Sequence, residues 1–213
     1  MAKPKVTEVV AVTPPNIRTL KFTLVGTAPY CQNKFSHKAK EAMMSKQAAG
    51  STAKKGKTRE AKDFDQCYEE ALYRSREGWC GIPAGSIRSA MISACRLVGF
   101  KMTIAKMSLF VHADGIDAKD AVPLVMFSSG EPHPVDSALR NQTGVMDVRR
   151  RPVWDPGWKA DVLVDYDADQ FTAADVTNLL LRAGVQVGIG EGRPDSRLST
   201  GCGWGTFALG HFD

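Results

Sequence analysis

Residues 172–209 read TAADVTNLLLRAGVQVGIGEGRPDSRLSTGCGWGTFAL, and the fold turns on how this run divides. Thr172 and Asp175 form an N-terminal capping pair: the hydroxyl accepts from an orphan amide while the carboxylate lies in the positive first turn. Val176, Leu179, Leu180 and Ala183 recur at the spacing of one helix face, and Gly184 supplies a left-handed stop. Beyond it the period changes. Val185, Val187 and Ile189 alternate as a strand, a glycine-rich loop follows, and residues 204–209 resume in extended form. The loop is therefore expected to join two strands. Dinucleotide and phosphate fingerprints need a helix after their glycines, so this placement argues against both. A strand-loop-strand carrying Gly190, Gly192, Gly201 and Gly203 with Arg193 and Arg197 can instead lay bare backbone and two guanidinium groups against a polyanion. A merely solvated hairpin is the competing reading.

Residues 81–99, GIPAGSIRSAMISACRLVG, are the second informative stretch. Ser86 is expected to cap a helix whose positions Ile87, Ala90, Met91, Ala94, Cys95 and Val98 form an apolar stripe, with Arg88, Ser89, Ser93 and Arg96 away from it. Ala84 and Gly85 add little bulk before the helix, which leaves its first amides open to an anion, with Arg88 in the same turn. Without a ligand, the same features describe a plain amphipathic helix.

Hydrophobic content of 43% and charged content of 24% over 213 residues fit a soluble globular chain and exclude disorder throughout. We expect one domain, 1–213, with a basic insertion at residues 30–80. The apolar runs are too short for a membrane span and the N-terminus has no signal core, so the chain is expected to stay in the cytoplasm. Five cysteines at irregular intervals, with no Cys-x-x-Cys, indicate neither a disulfide framework nor a zinc site. No cofactor or metal is expected. Charge is uneven: between Lys34 and Lys62 nine Lys or Arg face Glu41 and Glu60, a local net of +7 in a chain of net +5. Such a segment, including Lys54, Lys55, Lys57 and Arg59, fits a polyanion contact better than a solubility device.

The remaining elements follow in order. Residues 17–27 predict a first strand, with Leu20, Phe22 and Leu24 on one face and Thr19, Lys21 and Thr23 on the other. A basic helix is expected at 36–47 and another helix at 63–75. Strands at 107–112 and 121–128 make a hairpin, residues 131–144 a loop, and 145–152 with 158–166 a second hairpin around AspProGly whose first arm ends in Arg149, Arg150 and Arg151. Three consecutive arginines at a strand end point to solvent or to a ligand.

Strand, helix, strand, strand, helix, strand is the split βαβ order, so the expected class is α+β, a ferredoxin-like antiparallel sheet with two helices on one face and an added hairpin. RNA-recognition motifs use the same plan. With Ile82, Pro83, Ser86, Arg88 and Ala90 opening the first helix, and Gly201, Gly203, Gly205 and Phe207 closing the last loop, the chain resembles the RAMP superfamily, the RNA-binding proteins of CRISPR effector complexes. The resemblance is closest to the backbone subunits that line guide RNA. Ala84 and Gly85 depart from the family's usual Gly and Ser, and the last loop is interrupted at residues 193–200. The chain is also similar to small proteins of tailed phages.

Some members of that family cleave RNA with an acidic residue after the first strand or with a histidine base. Asp63, Asp65 and His37 occupy that region, but no histidine spacing reveals a placed partner. The expected function is binding of single-stranded RNA, or single-stranded DNA, without catalysis, with protomers aligned along the strand. A phage assembly factor or CRISPR-mimicking interaction protein is the alternative, and a metal-dependent endoribonuclease the third.

Overall fold

The computed structural model describes residues 12–35, 37–48, 63–140, 146–196 and 202–210. In chain order they form β1 (Ile17–Gly26), β2 (Tyr30–Cys31), α1 (His37–Ala48), α2 (Phe64–Ala71), β3 (Gly81–Pro83), α3 (Ala84–Ala94) and α4 (Met102–Ser108). There follow β4 (Leu109–Val111), β5 (Gly115–Ile116), β6 (Pro123–Ser129), β7 (His133–Arg140), β8 (Met146–Trp154), β9 (Lys159–Asp167), α5 (Ala173–Arg182) and β10 (Phe207–Leu209). The class is α+β, and every strand pairing among these residues is antiparallel.

The principal sheet runs β10-β1-β9-β6-β3, with β4 added to β9 and β5 to β6. β1 and β9 are its spine, paired from Ile17↔Asp167 to Val25↔Lys159. Alternation does the sorting: Phe22, Leu24, Ala160, Val162 and Val164 enter one buried cluster with Ile87 and Met91 of α3 and Val176 and Leu180 of α5. On the other face Thr19 and Thr23 donate to Asp165 and Asp161 at 2.6 Å. α5 starts with the expected capping box, the Thr172 hydroxyl accepting from the Asp175 amide and the carboxylate from the Thr172 amide.

Several expectations need correction. The helix does not give way to a strand at Gly184. It widens into a π turn, Ala183–Val187, which buries Val187 and leaves Val185 exposed, so the apparent alternation is helical. Gly188, with φ of 69°, is the actual stop. Gly184 serves a close approach instead, because a Cβ there would stand 2.1 Å from the Phe207 carbonyl oxygen. The glycine-rich loop therefore joins a helix to a strand. The expected 107–112 strand is present as β4, with Met107 and Ser108 still in the end of α4, but it pairs with β9, while the hairpin partner of β6 is β5. Residues 131–144 contain strand β7. Among the described residues β8 and β9 do not pair as the expected 145–166 hairpin. β8 pairs with β7 and β2 in a second, three-stranded sheet, and the turn after it, with Gly157 at φ of 95°, carries the chain into the first sheet.

Trp154 and Trp158 flank that crossing and are buried with Tyr30, and the partly buried Phe127 stacks on Trp154 at 4.6 Å. Trp158 Nε1 donates to the Ala28 carbonyl. This aromatic block joins the two sheets, so Tyr30, Trp154 and Trp158 offer no stacking face to a ligand. Among the residues of the basic segment, Lys34 is buried as well. Its ammonium lies 2.6 Å from Asp117 and 3.1 Å from Asp120, and Lys40 of α1 reaches Asp120 at 2.9 Å. Cys31 and Cys95 are buried, Cys202 is exposed, and none of the five cysteines is in a disulfide.

Burial alone would raise the Asp117 carboxyl, but the Lys34 ammonium and the Asp120 and Lys119 amides more than reverse this and hold its pKa below the usual carboxylate value. The pair's contribution is complete above that usual value and is lost as pH falls through the lowered one. Urea unfolding at neutral pH should find Lys34→Ala less stable by about 3–5 kcal/mol, since it strands a buried carboxylate. The gap from the parent should narrow as the solution is acidified.

Candidate nucleic-acid interface

α3 begins at Ala84 with Pro83 in the capping position, which supplies no side-chain bond to the first amides. Ser86 is thus the third helical residue and not the cap; its hydroxyl donates to the Pro83 carbonyl at 2.7 Å. Gly85 is exposed, with open space where a Cβ would stand. Ser86, Ser89 and Ser93 fall on one side of α3 because residues three and four apart share a face. They form one wall of a cleft of about 170 Å³.

The other wall is the glycine-rich loop, contributing Gly188, Gly190, Arg193 and Asp195. The structure thus brings together two of the segments singled out in the sequence. The loop is seated by backbone: Ile189 N–H donates to the Gly205 carbonyl at 3.0 Å, Gly205 N–H to Pro29 at 2.6 Å and Glu191 N–H to Cys31 at 2.9 Å. A Cβ on Gly190 would lie 2.5 Å from the Cys31 oxygen, and one on Gly205 1.7 Å from the Ile189 oxygen. Gly192 lies beneath the Trp204 ring. The Arg193 guanidinium donates to the Gly190 carbonyl at 3.0 Å, which holds its stem along the cleft. Arg96 of the turn after α3 pairs with Asp195 across the cleft end.

β8 splits the arginine triplet by alternation. Arg149 and Arg151 face the loop, where Glu191 lies 3.6 Å from Arg149 Nη1 and 3.2 Å from Arg151 Nε. Asp147 also reaches Arg149, at 3.2 Å. Arg150 points the other way, gripped by Asp136 through two 2.8 Å bonds and by Asp65 at 2.7 Å, with its guanidinium over the Phe64 ring. That hydrogen bonding raises the Arg150 pKa and lowers that of Asp136. Burial, then the Glu191 charge, pushes the Cys31 thiol up to about 12.

Arg88 is engaged elsewhere. Its guanidinium donates to the Leu109 carbonyl at 2.6 Å and to that of Lys106, and lies against Phe110. Gly203 sits at φ of 75° in the return arm. Arg197, Gly201, Lys54, Lys55, Lys57 and Arg59 lie outside the described residues. Asp63 caps α2 through the Gln66 amide. His112 does have a partner, Asp165 at 2.6 Å, on the outward sheet face beside Thr19. Among the described residues no cluster of three His, Cys, Asp or Glu could hold a metal, and no helix is long and apolar enough to cross a membrane. The contributions of Ser89, Ser93, Asp195 and Glu191 escaped sequence reasoning; the helical spacing of the serines was the available signal.

The sequence matches no protein-family model and no curated protein.

The loop seat makes a sharp comparison. Gly205→Ala places a methyl group against backbone at positive φ and should cost more than the about 1–2 kcal/mol of the left-handed conformation alone. Gly203→Ala, with open space around it, should cost no more than that conformational amount. Thermal melting of the two variants checks the order.

Proposed function

We propose that the chain binds single-stranded nucleic acid, RNA foremost, by holding its sugar–phosphate backbone in the cleft between α3 and the glycine-rich loop. The observation that carries this is the convergence of two segments about a hundred residues apart on one cleft lined by three serine hydroxyls, glycine backbone and Arg193. Its size supports the chemistry: about 170 Å³ is small against the ~300 Å³ and upward of ordinary ligand pockets, so it suits a phosphodiester and not a base. With Tyr30, Trp154 and Trp158 buried, base identity has little to read it here.

A ferredoxin-like reading of the principal sheet is supported by the order β10-β1-β9-β6, with α3 between β1 and β6 in sequence and α5 between β9 and β10. On that reading the chain is a RAMP-like backbone subunit that acts without cleavage in the cytoplasm, its protomers aligned along the strand. The interaction-protein alternative is favoured by a different feature, an apolar groove of about 590 Å³ lined by Val98, Phe100, Phe171, Leu179 and Leu181.

Labelled uridine and deoxythymidine homopolymers titrated over a salt series should bind with affinity that falls steadily as salt rises. Arg193→Ala should reduce the log-log slope by about 0.7, the single-strand value for one phosphate. Affinity indifferent to salt, or no binding at low salt, overturns the reading in favour of the interaction protein.

A further inference from the structure

The triplet Arg149–Arg151 has one half that is firmly closed and one that is not. Arg150 is held by a two-pronged carboxylate fork at 2.8 Å. Arg149 and Arg151 meet Glu191 by single contacts at 3.6 and 3.2 Å, longer than the usual charge-assisted bond of about 2.7–2.9 Å. Both guanidinium groups and the carboxylate remain partly exposed, at 25%, 16% and 19%, so a ligand can reach them from solvent.

We propose that Arg149 and Arg151 form a phosphodiester subsite whose place is held in the free chain by the carboxylate of Glu191. This rests on the nucleic-acid reading and adds to it where the strand goes on leaving the cleft, and what it must displace. Three features carry it. Glu191 follows Gly190, which lines the cleft, so the subsite adjoins it across one residue of loop. The exchange is one for one: a phosphodiester, like a carboxylate, brings two free oxygens and a single negative charge, so Arg149 and Arg151 keep their neutralisation beside Asp147. Nothing in the seat has to move, because the Glu191 backbone is fixed through its amide to Cys31 while the side chain turns about its own bonds toward solvent. Guanidinium pairs take phosphate oxygens at least as well as carboxylate oxygens.

The test is Glu191→Gln, which keeps the shape and removes the competing charge. It should bind a uridine oligonucleotide about tenfold more tightly than the parent at low salt, within the usual range of coupling between sites. The gain should vanish when Arg149→Ala and Arg151→Ala are added, as a double-mutant cycle requires of a direct interaction. Asp161→Asn, the same charge change on the outward sheet face, should move affinity less than about twofold. If Glu191→Gln melts early, Glu191→Asp, which keeps the charge but draws it back by one methylene, should give a gain of the same sign. A gain below twofold in a normally melting variant, or one that survives loss of both arginines, overturns the proposal. Inorganic phosphate, followed by the emission of Trp204 over Gly192, separates the two levels. Phosphate bound more tightly by Glu191→Gln with no oligonucleotide bound by either chain keeps the subsite and removes the nucleic-acid reading. An oligonucleotide bound equally by parent and variant does the reverse, and no binding of either probe removes both.

Discussion

Gly205 carries no side chain because there is no room for one: a Cβ would stand 1.7 Å from the Ile189 carbonyl oxygen, while the Gly205 amide donates to Pro29 and its carbonyl accepts from Ile189. Three pieces of chain, the end of the π turn, the link from β1 to β2 and the return into β10, meet there with bare backbone on bare backbone. Gly190 repeats the arrangement against Cys31. This packing fixes the glycine-rich loop over β2, and every geometric feature of the candidate site follows from it. It sets the distance of the loop from α3, hence the cleft, and it delivers Glu191 to the loop-facing side of β8.

The charges are distributed accordingly. Alternation along β8 turns one basic triplet into two environments, a closed one where Arg150 ties α2 to the β7–β8 pair and an open one shared with the loop. Lys34, which belongs to the basic segment by sequence, is a buried structural cation matched by Asp117 and Asp120. Arg88, poised by sequence for an anion, instead satisfies carbonyls at the end of α4 and in β4. Net charge alone therefore overstates the cationic surface, since Lys34, Arg88 and Arg150 are each engaged by internal partners.

Local chemistry was legible in the sequence, and long-range pairing was not. The capping box of Thr172 and Asp175, the stripe Val176, Leu179, Leu180, and the alternation of Leu20, Phe22 and Leu24 each depend on neighbours a few residues away. The region 131–144 looked like loop because the apolar positions of β7 are few and its register comes from β8, which no local pattern announces. AspProGly promised a hairpin, but Trp154 and Trp158 on either side of it bury into a block with Tyr30 and Phe127, and that burial sends the two strands to different sheets. Val185, Val187 and Ile189 mimicked a strand because a π turn also brings Val187 inward. Half of the site was visible as glycines and arginines. Glu191 was hidden because a lone carboxylate in a loop acquires meaning only from what it faces.

Hydrogen exchange of the protein with and without a single-stranded uridine oligonucleotide tests the central claim most directly. Slower exchange confined to the first turns of α3 and to residues 188–195, with β7 and the spine of β1 and β9 unchanged, is the predicted outcome. Protection that appears elsewhere and leaves α3 and the loop untouched would contradict the account.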